Sequence, residues 1–238
     1  MTDLQTEWNL KRLGPEVEPI QQSFAMLSSL MSRITTHAST SKWPQHGLSI
    51  AMLFGWSLGR LVNAYRLALD GYVCDAAMLW RGAWEAKWQL IAFDIEASQV
   101  SSEADSRLAR WIGGEWIGQR EIRQMLPAPE ILKDRYSAMS ALTHPGNVKA
   151  VQLQVQMTSV QNATTVALGI PGIRNAKATD AILGSIWEET LDLIGYVPFA
   201  FPKAVDDAAA LDEWRQDMMS RHRGFAERVS NQDGQTEA

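Results

Sequence analysis

Arg81 and Glu85 stand four residues apart in YVCDAAMLWRGAWEAKWQLIAFDI, the run from Tyr72 to Ile95. Four-residue spacing makes two side chains neighbours on a helix. The run is apolar on almost every face, the pattern of a helix in the middle of a bundle. A charge placed there is costly unless it is paired or used. The pair reads in two ways: as a clasp tying this helix to a neighbour, or as the floor of a site where Arg81 faces a ligand and Glu85 orients it. A guanidinium beside the indoles of Trp80, Trp84 and Trp88 would suit a planar or phosphorylated ligand. The three indoles themselves, at four-residue steps, read as core, as do Trp111 and Trp116.

A second constellation lies in RYSAMSALTHPG, residues 135–146. Tyr136, Ser140 and His144 fall at successive four-residue steps, so a helix would carry them as one polar ridge. Histidine titrates near neutrality unaided, which fits it to move a proton. Its plainer role is to close the helix, where a cation meets the C-terminal dipole favourably. If the two helices meet, Arg81, Glu85, Tyr136, Ser140 and His144 line one binding pocket.

Other chemistry finds little support. No His-Glu-x-x-His, Cys-x-x-Cys or Glu-x-x-His pattern occurs, so neither a metal nor a cofactor is expected. Gly113-Gly114 lacks the lysine and preceding strand of a phosphate loop. His37, His46 and His222 fall on predicted loops and an exposed helix. Arg221, Arg223 and Arg228 read as a solvated face. The single cysteine, Cys74, reads as a small buried hydrophobe.

The elements that must position these groups follow from composition and period. With 238 residues, 46% hydrophobic content and ten tryptophans, the chain can bury a generous core. A net charge of −5 argues against a generic nucleic-acid coat, which wants a basic surface. No apolar leader opens the sequence and no run suits a membrane span, so a cytoplasmic location without a membrane partner is expected. Residues 1–14 read as an N-terminal arm. Helices are predicted over 15–37, 47–70, 72–97, 102–125, 129–143, 178–196 and 206–229, with Gly71 as the C-terminal stop of the second. Gly55 and Gly59 would admit a neighbouring helix, and Gly113-Gly114 should mark a kink or a close contact in the fourth. Val151, Leu153, Val155 and Met157 alternate with polar residues, and Val166, Leu168 and Ile170 repeat the pattern, predicting a β-hairpin at about 150–171. The expected fold is therefore mainly α: a single domain over 15–229, an antiparallel bundle of six or seven helices with one inserted β-hairpin. Residues 230–238 should form a flexible tail.

The pairing of LWRGAWE on one helix with YSAMSALTHPG at the end of a later one resembles an uncharacterised bacterial helical family akin to the HEPN (higher eukaryotes and prokaryotes nucleotide-binding) domains. The likeness spans roughly residues 45–147. It implies a helical bundle, commonly a homodimer, that takes a nucleotide or RNA ligand in a bacterial defence or stress system. Many members cleave RNA without metal, an arginine holding phosphate and a histidine moving the proton. His144 matches that histidine, but the arginine usual four to six positions earlier is replaced by Ala138, Met139 and Ser140. A non-catalytic binding or interaction protein is the reading this departure favours. The alternative is a metal-independent ribonuclease using His144 with Arg81.

Overall fold

Gly71, at φ 87°, turns the chain between its two longest helices. Its N–H bonds to the Ala68 carbonyl and that of Tyr72 to the Leu67 carbonyl at 2.8 Å, the paired closure that ends a helix on a left-handed glycine. The computed structural model describes residues 2–37, 44–126, 130, 133–134, 136–137, 139–140, 155–160, 163–168 and 176–231. Within them the chain is mainly helical.

The elements are α1 (Thr2–Leu13), α2 (Val17–His37), α3 (Pro44–Leu69), α4 (Val73–Gln99), α5 (Arg107–Ile112) and α6 (Gln119–Gln124). After them come β1 (Val155–Val160), β2 (Ala163–Leu168), α7 (Ala176–Ala200) and α8 (Ala208–Asn231). Residues described between 130 and 140 are helical. The backbones of β1 and β2 pair antiparallel, Val155 opposite Leu168 and Val160 opposite Ala163. How that segment meets the helices lies outside the described residues, as do 232–238 of the expected tail.

The α3–α4 hairpin lies against α7, which also packs on α2 and α8. The core where they meet holds Ile20, Leu27, Phe54, Leu61, Leu90, Phe93, Leu183 and Trp187, all 1% exposed or less. Each such side chain stabilises by about 1.5–3 kcal/mol through burial. Trp187 also donates its indole N–H to Ser23 Oγ at 3.0 Å, so its polar atom is satisfied in the interior.

Several expectations are corrected. The first fourteen residues are no arm: α1 buries Asn9 completely, and Asn9 Nδ2 donates to the Leu69 carbonyl at 2.6 Å, capping α3. The helix predicted over 102–125 is broken. Gly114 adopts φ 89°, and the chain runs as α5, a non-helical linker and α6, because a left-handed residue cannot continue a right-handed helix. Helix α7 does not stop at Tyr196 but passes through Pro198 to Ala200. Of the two α3 glycines, Gly55 faces Met31 of α2, whereas Gly59 faces open space. His46 is not on a loop but buried in the first turn of α3. His222 is not exposed either; it stands edge-on to Trp187, the ring centroids 5.4 Å apart.

Three groups, two buried and one half-buried, make the fold sensitive to alkali. Burial raises the phenols of Tyr65 and Tyr196, and Tyr196 rises further because Asp94 accepts its hydrogen bond at 2.7 Å. Burial opposes the charge on Lys87, but Glu189 and Asp192 outweigh that and leave its ammonium raised. In the unfolded chain these protons leave near pH 10. Above that pH the unfolded state holds fewer protons than the folded one, so stability falls as pH rises. Melting temperatures measured from pH 8 to 11 should stay level and then drop beyond about pH 10. Tyr196→Phe should make the drop shallower; an unchanged slope would mean that Tyr196 ionises alike in both states.

Candidate functional site

On α4 the Arg81 and Glu85 side chains are 19% and 26% exposed, at the border of the interior. Arg81 Nε donates to Glu85 Oε1 at 2.9 Å, and Nη2 donates to the Tyr136 hydroxyl at 2.8 Å. The tyrosine ring sits between two cations: the Arg81 guanidinium carbon is 4.9 Å from its centroid and that of Arg123, from α6, is 5.0 Å away. Trp84, buried at 3%, backs the ring at 6.4 Å. The structure thus brings together Arg81, Glu85 and Tyr136. Ser140 follows one turn after Tyr136 and is half-buried. His144 lies outside the described residues, as does Arg135.

Two nitrogens of Arg81 are therefore spent on protein partners, and the guanidinium braces α4 against the helical stretch that carries Tyr136. Among the described residues, hydrogen bonding engages only Oε1 of Glu85. The carboxylate lines a cleft of about 350 Å³ between α3, α4 and the α5–α6 segment. Trp56 of α3, Trp111 of α5 and Trp116 of the linker supply its aromatic surface, with the amides of Gln89 and Gln119 beside Glu85. No described residue lining it carries a positive charge.

Gly82 explains how the cleft stays open along α4. A Cβ there would fall 2.7 Å from Arg60 Nη1, so the missing side chain makes room for that guanidinium. Arg60 lies over the Trp56 ring, 3.8 Å from its centroid. Trp116, read as core, is instead 83% exposed, because the linker after Gly114 carries it away from the interior.

Of the remaining indoles, Trp84 is buried while Trp80 and Trp88 are half-buried. The second buried ionic group was not visible in the sequence. Lys87 Nζ donates to Glu189 Oε2 and to Asp192 Oδ2, each at 2.9 Å, binding α4 to α7. Its partners are more than a hundred residues away in the chain, so no local spacing announces them.

No family model, no curated protein and no solved structure matches this chain. Among the described residues no cluster of three metal-ligating side chains occurs, and no helix is long and apolar enough to cross a membrane. Cys74 is half-buried in the first turn of α4.

Proposed function

We propose that this protein binds a small ligand in the tryptophan-lined cleft beside Glu85, without catalysing its conversion. One observation carries the reading: a carboxylate braced by Arg81 stands on the wall of an open cleft of about 350 Å³, within the range of small-molecule sites. Arg81 and Tyr136 act as positioning groups, and the ridge through Ser140 and His144 extends the site. The proposal includes the HEPN-like class, a homodimeric state and a cytoplasmic role in bacterial defence or stress. It also takes the β1–β2 pair as a β-hairpin inserted into an antiparallel bundle, its apolar face docked on the helices.

The rival reading, a metal-independent ribonuclease using His144 with Arg81, asks more of the guanidinium. Arg81 would have to exchange Glu85 and Tyr136 for a phosphate. Chelator-resistant RNA cleavage that disappears in folded His144→Ala would establish it.

The binding reading is tested by thermal shift with small soluble amines, aromatic bases and mononucleotides. A compound that binds the folded state alone raises the melting temperature as its concentration passes Kd. Arg81→Ala should destabilise the ligand-free protein by only about 1–2 kcal/mol, since the pair is partly hydrated. It should also reduce the ligand-induced shift, because Glu85 loses its brace. Shifts that persist undiminished in Trp56→Ala and Trp116→Ala, or no shift in the wild type at millimolar concentrations, would overturn the reading.

A further inference from the structure

We infer that the ligand of this cleft is a small organic cation with an apolar body, of the methylated-ammonium class. The inference rests on the preceding assignment of the cleft as the binding site and adds the charge and chemistry of the guest.

Charge complementarity is the first argument. Among the described residues that line the cleft, Glu85 is the one that carries a formal charge, and it is negative. Arg60 and Arg81, the nearby cations, are turned to Trp56 and to Glu85 with Tyr136 respectively. An anionic guest would meet indole surface and a carboxylate, with only amide and indole N–H groups among the described lining residues to compensate it. A cationic guest would meet the Glu85 carboxylate and the indoles of Trp111 and Trp116, whose faces carry negative electrostatic potential and attract cations.

The protein itself places a cation on one of these indoles. The Arg60 guanidinium lies 3.8 Å from the Trp56 centroid, so an indole that lines the cleft already holds a cation of the protein by its π-face. Trp111 and Trp116 offer further indole surface in the cleft, and Trp116 is 83% exposed. A methylated ammonium cannot donate strong hydrogen bonds, so it loses little in leaving water for an aromatic cage. A carboxylate beside that cage then supplies attraction and sets the sign of the guest.

The two parts of the claim separate in one experiment on the full chain. Choline and its uncharged isostere 3,3-dimethylbutan-1-ol are titrated by calorimetry and thermal shift, with AMP as an anionic probe. Choline should bind saturably, at least about tenfold more tightly than the isostere, as a cation–π cage with a carboxylate predicts. Trp116→Ala should weaken choline binding by about tenfold, and because that side chain is exposed the variant should fold. Glu85→Gln should narrow the preference for choline over the isostere. Equal binding of choline and the isostere would overturn the cationic class while leaving the cleft as the binding site. Binding of AMP alone, lost in Trp116→Ala, would do the same in favour of an anion. No binding of choline at tens of millimolar would overturn the inference outright; the wider compound set then decides separately whether the cleft binds anything.

Discussion

Lys87→Met should destabilise the protein by about 3–5 kcal/mol, the cost of leaving a buried partner charge uncompensated. Lys87 is 3% exposed and Glu189 4%, so water cannot replace the lost ammonium. Asp192, whose side chain is 42% exposed, can rehydrate and adds little to the loss. Burial already raises the Glu189 carboxyl, with Asp192 and Glu188 adding to the rise, while Lys87 pulls it down. Without the lysine only the raising influences remain. A carboxyl whose folded pKa is raised contributes its full stability below its unfolded value and loses it as pH rises. The deficit of Lys87→Met, measured by denaturant unfolding, should therefore be smaller at pH 4 than at pH 8. Adding Glu189→Leu should recover most of the loss, since an apolar pair often matches a buried ionic one. A single variant as stable as the wild type at both pH values would show that the ammonium is not held in the interior.

Arg12→Ala should cost about 2–4 kcal/mol, somewhat less because the arginine keeps some contact with water. Its two terminal nitrogens donate to the two oxygens of Asp180, each at 2.6 Å, in the bidentate geometry that suits guanidinium and carboxylate. The Asp180 side chain is 4% exposed against 23% for Arg12, so the stranded group in the variant is the buried anion. The pair fixes α1 to α7, while Asn9 fixes it to the end of α3. Unfolding in urea should shift its midpoint, and Asp180→Asn added to Arg12→Ala should restore part of the stability. If the double variant is no better than the single one, the loss comes from the packing of the arginine stem rather than from charge.

The long helices were legible because their apolar residues keep helical period, and Gly71 marks the break between two of them. Arg81 and Glu85 were legible for a related reason: a four-residue spacing is a statement about distance on a helix. The polar ridge marks Tyr136 as a candidate partner, and its hydroxyl accepts a hydrogen bond from Arg81. Helix α1 was missed because the face it buries is partly polar. Gln5 and Asn9 are buried along with Leu13, so polar residues interrupt the apolar pattern that would betray the helix. Lys87 was missed because it looks like one more polar break in a tryptophan-rich run, and Glu189 like the polar face of an ordinary amphipathic helix. Only tertiary structure puts them side by side. The cleft was missed through Trp116, an indole that composition alone assigns to the core.

Glu96 gives the cleft an indirect dependence. Near the end of α4 it accepts the Arg107 backbone N–H at 2.8 Å and a guanidinium N–H of the same residue at 2.7 Å, so one carboxylate moors the start of α5. Helices of six residues, such as α5 and α6, have little cohesion of their own. The outer wall bearing Trp111 and Trp116 is hung like a shutter from this mooring. A change at Glu96 would alter the width of the mouth, and with it how fast a guest enters and leaves, without touching any residue the guest meets.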